Sequence, residues 1–580
     1  MIRQLADIAD NSTYDLIVAG AGGAGLAAAL FAAIEGKKVL VVERMDVLGG
    51  TTALSAATAW LPNSHHASAS ADGRDDSPAK VAKFLDGVVG NRSSASLRRA
   101  FIDSAPAAVT ALETNSDVKF RPYATHPDYQ QEAEGATMRG RAVEPVPFDG
   151  RLLGATLDKI RRPIPEFTLF GGMMVDRTDI GHLLKLKTSW PSFKHAAGVL
   201  RHFAKDRMTG KTRGTRLVMG NALVGRLLYS LEKRGVEIVL ETTVIDFATD
   251  QGGIRGVSLA SHGVSRTLKA TLGVISAAGG FNRHPTRRGE MLHTPTPAVS
   301  PSAPGHTGEI QDMALKLGAR FGEGGLDHAF WAPVSTRQRP DGTTAVFPHF
   351  VMDRSKPGTV CVNQQGRRFV NESTSYHLFA RAMFEAHKTE PTIPCFIITD
   401  AVGLKKYGLG MVRMGTSNLQ PFLDDGYLVE GRTVADLATK LKINAATLES
   451  TIANMNRYAE TGDDPEFGRG ATAYHRINGD ALHTGANPNL GPITTGPFYA
   501  VRLVPGDIGA ATGLVTDEWA QVLGADNRPI GRLYAVGNEM QSIMGGVYPA
   551  PGITIGPGIT FAWRAVQHAI GAAEPAAQKP

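Results

Sequence analysis

In the stretch GGVYPAPGITIGPG, residues 545–558, one tyrosine stands among glycines and prolines just ahead of an apolar run. Pro549 and Pro551 hold φ at about −65° and supply no N–H, whereas Gly552 and Gly556 admit backbone shapes and close approaches that a Cβ would forbid. Tyr548 is thereby offered as a rigidly held phenol, a group that can donate a hydrogen bond or, once ionised, take a proton. The same residues suit a plain turn before a terminal helix: Pro557 falls where a first-turn proline is tolerated, and ITFAWRAVQHA follows with helical apolar spacing. A second chemical signal lies near the other end of the chain, in YDLIVAGAGGAGLAAALFAAIEGKKVLVVER. Gly20, Gly22 and Gly25 have the GxGxxG spacing, with Gly23 among them. Gly20 permits a tight turn, Gly22 lets the main chain approach a pyrophosphate, and Gly25 lets helix pack on strand. Free N–H groups and the helix dipole favour phosphate at that end. Glu43, 18 residues beyond Gly25, is placed to accept the ribose hydroxyls of an adenosine.

The elements that must hold these groups follow from the same stretch. It predicts a buried strand over 15–19, a helix to about residue 35 and a second strand over 38–43, together a dinucleotide-binding unit. Residues 16–34 are apolar enough to resemble a signal peptide or a membrane span. Against that, Asp7, Asp10 and Asp15 precede them where a positive cluster would stand, and the glycines are patterned. The 580 residues exceed one ordinary core, and 42% hydrophobic with 20% charged residues is a soluble globular composition. A net charge of +6 is small for this length, so a dedicated nucleic-acid binder is not expected. Cys361 and Cys395 are the only cysteines and form no CxxC, which leaves no disulfide framework, metal knuckle or c-type haem and makes a reducing cytoplasm the expected home.

Immediately after Glu43 comes RMDVLGGTTALSAATAW, and this run resembles flavoproteins of the fumarate reductase and 3-ketosteroid dehydrogenase superfamily. The resemblance implies FAD, with Gly50, Thr51, Thr52 and Ser55 wrapping its pyrophosphate and flavin. No histidine lies in the 49–55 run, so a covalent histidyl link is not expected and FAD should be noncovalent. In these proteins the cofactor domain is split. VEIVLETTVIDFATDQGGIRGVSLA reads as a β-rich insert, GVISAAGGF as a returning strand, and RLYAVGNE as the terminal strand that brings Gly537 and Glu539, with the helix after Gly556, near the cofactor. The implied fold is α/β: a Rossmann-like FAD-binding domain over 1–290 and 491–580, the last residues a frayed tail, with an inserted α+β substrate (cap) domain over 291–490.

The Tyr548-Pro-Ala-Pro-Gly552 loop is very like the Tyr-x-Gly-Pro-Gly loop of 3-ketosteroid Δ1-dehydrogenases, where the tyrosine O–H and the glycine N–H both donate to the ketone oxygen. Ala550 departs from the commoner glycine but leaves both donors in place. KPGTVCVNQQGRRFVNESTSYHLFARAM resembles the same family, with Asn371 and Glu372 closing a strand and Tyr376 in the position of the catalytic base. PYATHPDYQQEAEGATMRGRAVEPVPFDGRLLG carries the assisting tyrosine, matched to Tyr129 with Tyr123 as the rival. Arg564 does not fill the fumarate-reductase arginine position, and His284 is read as part of a surface turn. The implied activity is dehydrogenation of a hydrophobic cyclic ketone, foremost a 3-ketosteroid, to its α,β-unsaturated product. Its alternatives are a desaturase of smaller cyclic ketones, a Δ4-regioselective steroid enzyme, a flavin-dependent alkene reductase and a non-catalytic flavoprotein. An electron acceptor that no motif specifies must reoxidise the flavin. Finally, Lys185, Lys187, Lys194, Arg201, Lys205, Arg207, Lys211, Arg213 and Arg216 make a basic segment with an amphipathic portion, either a solvated helix face or a contact with the membrane surface.

Overall fold

The computed structural model describes residues 2–69, 76–123 and 125–572. The strand Thr13–Ala19, the helix Gly23–Ile34 and the strand Val39–Val42 form the expected unit. Val39–Val42 and Glu237–Val239 lie on one side of Thr13–Ala19, Val264–Ser276 and Pro529–Ala535 on the other, all parallel, with Ile17 opposite Leu40 and Val274, and Val274 opposite Leu533. Such strands are covered on both faces, which is why they read as unbroken apolar runs. The long strand Val264–Ser276 changes partners: its first half pairs antiparallel with Gly253–Ser261, which pairs in turn with Thr243–Asp250. This nine-stranded sheet is completed from the C-terminus, and the helix Ile555–Gly571 returns so closely on Gly23–Ile34 that a Cβ on Gly558 would lie 3.3 Å from that of Ala24.

A second, six-stranded sheet is built from Ala329–Gln338, Thr344–Pro348, Thr359–Val362, Cys395–Asp400, Leu428–Gly431 and Phe498–Ala510. The last of these pairs with three of the others. The chain therefore leaves the second sheet after Ala510, beyond the boundary expected at 491, because the hydrogen-bond partners of this strand all lie in the inserted unit. Asn371 and Glu372 do not close a strand either: the strand ends at Val362, and Glu372 is drawn into a buried turn by Arg368, 2.8 Å away, and Arg469, 3.3 Å away. Cys361 and Cys395 are buried free thiols. The basic segment contains the helix Trp190–Met208, preceded by the short helix Arg177–Leu184.

Candidate active site

One cavity of about 480 Å³ runs from the glycine turn to the C-terminal loop, and Gly20, Gly22, Gly23, Glu43, Gly50, Thr51, Thr52 and Ser55 line its first half. Gly20 has φ +111°, and a Cβ there would lie 2.4 Å from the Ala277 carbonyl oxygen. Gly22, by contrast, faces open space, and as the N-cap of Gly23–Ile34 it leaves the helix terminus without a side-chain cap. An uncapped helix N-terminus beside unfilled space is what a pyrophosphate requires. The Gly23 N–H donates to Thr52 Oγ1 at 3.1 Å, and Thr51 Oγ1 accepts from the Ala303 N–H at 2.9 Å, so the threonine run is tied to both walls. Glu43 accepts from the Ala21 and Met45 N–H groups, each at 2.9 Å, which fixes its carboxylate at the strand end while burial raises its pKa. These residues fit FAD.

Three residues expected at the cofactor lie outside the lining. Gly25 sits where a Cβ would be 2.0 Å from the Gly20 carbonyl oxygen, and Gly556 where one would be 2.0 Å from that of Trp60; both act through backbone packing. Glu539 is fully buried and accepts from the Gly280 N–H at 2.8 Å, with burial pushing its carboxyl up to about 7. Its neighbours Gly537 and Asn538 line the cavity instead.

At the other end Tyr129, Tyr376, Tyr548 and Gly552 meet. Tyr548 packs edge-on to Tyr376 at 5.2 Å and to Phe330 at 5.1 Å between ring centroids, and stacks on Tyr129 at 6.0 Å. Its hydroxyl feels those of Tyr376 and Thr554, which act against the effect of burial on its pKa. Gly552 has φ +86°, and a Cβ there would meet the Thr58 carbonyl oxygen at 2.4 Å. Its carbonyl accepts from the Trp60 N–H at 3.1 Å, and among the described residues no acceptor takes its own N–H. The Pro549 carbonyl accepts from the Tyr129 N–H at 2.8 Å, so the same loop that frames Tyr548 also places Tyr129. The Tyr129 hydroxyl donates to that of Tyr376 at 3.4 Å. Tyr123 is turned to different partners: burial and the Glu144 carboxyl beside it raise its pKa, and it lies under the Arg177 guanidinium at 5.7 Å.

Tyr376 opens the helix Tyr376–His387, whose N-cap Ser375 accepts from the Leu378 N–H. The turn before it is held by Arg354, which donates to the carbonyls of Glu372 at 2.6 Å and Thr374 at 3.3 Å. Burial raises all three phenols above the ordinary tyrosine value, Tyr129 and Tyr376 far above it. Among the influences on Tyr129, its bond to Tyr376 and the charge of Arg177 act in the opposite, favourable direction for ionisation.

Several lining residues carry no signal in the linear sequence. His306 reaches Thr51 Oγ1 at 3.4 Å across 255 residues, and burial pushes its pKa down to about 4, so it is neutral. Arg161 lies beside Glu43, Phe350 packs edge-on to Tyr376 at 5.0 Å, and Tyr474 lies 5.0 Å from Tyr129. Each comes from a segment whose local pattern is that of an ordinary loop or helix. His284 is tied to Asp312 at 2.9 Å and to the Arg287 N–H, and Arg564 bonds to Ser104 and stacks on Trp519 at 4.1 Å; neither lines the cavity.

A glycine cradle, an acid at the second strand and a phenol cluster in one cavity define a flavin-dependent oxidoreductase. Residues 15–555 match the family described as FAD binding domain, and the chain belongs to that family. It is 34% identical over 564 residues to the 4-oxocyclohex-2-ene-1-carboxylate 5-dehydrogenase of Sinomonas cyclohexanicum, covering 95% of this chain and 92% of that one. It is 33% identical over 567 residues to the 3-oxosteroid 1-dehydrogenase of Mycolicibacterium smegmatis, covering 95% and 96%. The crystal structure of the 3-ketosteroid Δ1-dehydrogenase from Sterolibacterium denitrificans superposes with a TM-score of 0.90 at 32% identity, covering 97% of this chain and 100% of that one. The protein is an FAD-dependent oxidoreductase of this fold.

Proposed function

We propose that the protein converts a cyclic ketone to its α,β-unsaturated ketone. The observation that carries this reading is the meeting of two donors, the Tyr548 O–H and the unclaimed Gly552 N–H, with the Tyr129–Tyr376 pair in the cavity that also holds the dinucleotide turn. A C–H beside a carbonyl is too weak an acid to ionise unless the developing enolate oxygen is stabilised, and two fixed donors at that oxygen do so. Tyr376, ionised, takes the α-proton. Its phenolate is opposed by burial, and the Tyr129 O–H, 3.4 Å from the Tyr376 oxygen, is the donor placed to stabilise it. The Pro549 and Gly552 carbonyl bonds hold both loops in register while this occurs. When bound, FAD accepts the two electrons and hydrogen lost from the β-carbon. We read FAD as noncovalent, since the 49–55 run has no histidine. Acid precipitation should release all flavin to the supernatant; flavin retained in the pellet contradicts that. The reading is tested by anaerobic mixing with cyclic ketones and identification of the product: stoichiometric enone supports it, and oxidised flavin unchanged by every ketone overturns it.

The basic segment supports contact with an anionic membrane surface. Among the described residues no helix is long and apolar enough to cross a membrane. On and beside Trp190–Met208, however, Trp190 and Met208 are 70% and 87% exposed, and Phe170, Leu184 and Phe193 are exposed with them among the lysines and arginines. Apolar side chains set in a basic face match the headgroup boundary. The protein should sediment with vesicles containing anionic lipid, and Trp190→Ala with Phe193→Ala should weaken that; equal sedimentation of the double variant, or none of the wild type, overturns it.

A further inference from the structure

The relatives act on ketones of two sizes, four fused rings or a single ring bearing a carboxylate, and the cavity contains a feature that separates them. Arg177 is exposed and lines the cavity, which places it at the opening. Among the described residues it has no ion-pair partner, unlike its neighbours: Asp176 is held by Arg121 at 2.9 Å, and Asp179 by Arg216 at 2.8 Å. Its guanidinium lies 5.7 Å over the Tyr123 ring, and among the described residues no side chain takes a hydrogen bond from it. Its charge acts on the phenols of both Tyr129 and Tyr474, so it stands within a short electrostatic reach of the tyrosine cluster. Glu144 also lines this end and its carboxyl feels the charge of Arg177, but burial pushes it up to about 7, and among the described residues the two form no ion pair.

We infer that Arg177 is the carboxylate anchor of the substrate site, and that the substrate is a single-ring ketone carrying an anionic group opposite its carbonyl. The inference rests on the dehydrogenase reading above and sharpens it to a substrate class. A guanidinium is suited to this because its planar fork meets a carboxylate with two parallel hydrogen bonds. Tyr548, Gly552 and Arg177 line one cavity, and the charge of Arg177 reaches Tyr129 and Tyr474, so the anion of a compact ring keto acid, the kind of substrate named for the 34%-identical relative, would fall within its reach. The anion stays at the water-facing end, so its hydration is only partly lost, while the apolar ring enters among Phe330, Phe350 and Tyr474.

The test uses the FAD-loaded enzyme and four probes: 4-oxocyclohexanecarboxylate, its methyl ester, a neutral 3-ketosteroid, and a 3-ketosteroid with a carboxylate side chain. Wild type should prefer the ring acid. Arg177→Ala should raise KM for the ring acid roughly 10- to 100-fold more than for the ester, the effect of losing a charge-assisted bond, with kcat moving less than KM. Arg177→Lys should restore part of that loss, since it keeps the charge but not the fork. Flavin content and melting temperature, compared across variants, exclude a folding defect. Equal losses on acid and ester would mean that Arg177 acts only through the tyrosines, and would overturn the anchor. Preference of the wild type for the ester or the neutral steroid overturns it as well, with the dehydrogenase reading intact. Preference for the steroid acid overturns the single-ring assignment. Flavin that no probe reduces overturns the dehydrogenase reading itself, and the anchor with it.

Discussion

Replacing Tyr548 by phenylalanine removes one oxygen and leaves the frame. The ring keeps its packing on Phe330, Tyr376 and Tyr129, at 5.1, 5.2 and 6.0 Å, and the proline and glycine geometry of the loop is untouched. What is lost is the donor at the ketone oxygen, and its interaction with the Tyr376 and Thr554 hydroxyls. Losing that buried polar interaction should cost about 1 kcal/mol of stability at most, readable as a small drop in melting temperature. The catalytic cost is larger, because one donor to a developing oxyanion contributes roughly 3 kcal/mol, or about 10² to 10³ in kcat. The Gly552 N–H remains, so the reaction should be slowed rather than abolished. Because a neutral carbonyl accepts a weaker hydrogen bond than an enolate, affinity for a product-like enone should fall much less than turnover. The assay is single-turnover flavin reduction by anaerobic rapid mixing, with enone affinity measured from perturbation of the flavin spectrum. A Tyr548→Phe enzyme that reduces its flavin at the wild-type rate, or that loses enone affinity as steeply as rate, would refute the donor role.

Tyr376→Phe should depress kcat more than Tyr548→Phe while leaving enone binding nearly intact; near-normal turnover would make Tyr376 a packing residue. Tyr129→Phe should slow flavin reduction about 10- to 100-fold by removing the hydrogen bond to the ionised base, and Tyr123→Phe should do so far less, since of these two Tyr129 alone is bonded to Tyr376; equal effects in single turnover would contradict that distinction. Wild-type flavin reduction should rise with pH through the alkaline range, because only ionised Tyr376 is a base and burial holds it as the phenol; a flat pH profile would count against the assignment. Glu539 is raised to about 7 in the folded protein from an ordinary value of 4.5, so between those values the folded state binds more protons and stability falls as pH rises, by up to roughly 3 kcal/mol. Glu539→Gln should remove that share of the slope, seen as a flatter dependence of melting temperature on pH.

The cofactor half was legible because its logic is local. The turn at Gly20–Gly25 and the acid 18 residues on lie within one strand–helix–strand unit, where spacing dictates geometry. The tyrosines were legible only through likeness to related enzymes: nothing in the neighbourhood of Tyr129 or Tyr376 states that residues 247 apart share a hydrogen bond. Long-range pairing also hid the membership of Phe498–Ala510, whose partners come from three earlier strands. Glu539 shows the opposite failure: it stands one residue from the lining, and a turn at Gly537 with φ +65° directs the carboxyl to the Gly280 N–H rather than into the cavity. Arg177, just after the N-cap Asp176, carries no signal of its own in the sequence, and its place at the cavity comes with its contact to Tyr123, far earlier in the chain.

The most direct measurement is anaerobic mixing of the yellow enzyme with a cyclic ketone labelled with deuterium at either of the two carbons that would form the double bond. The account predicts stoichiometric bleaching of the flavin, formation of the enone, and slowing by label at both positions, one carbon losing a proton to Tyr376 and its neighbour a hydride to FAD. Flavin that stays oxidised with every cyclic ketone, while its reduced form is rapidly reoxidised by an activated alkene, would contradict it.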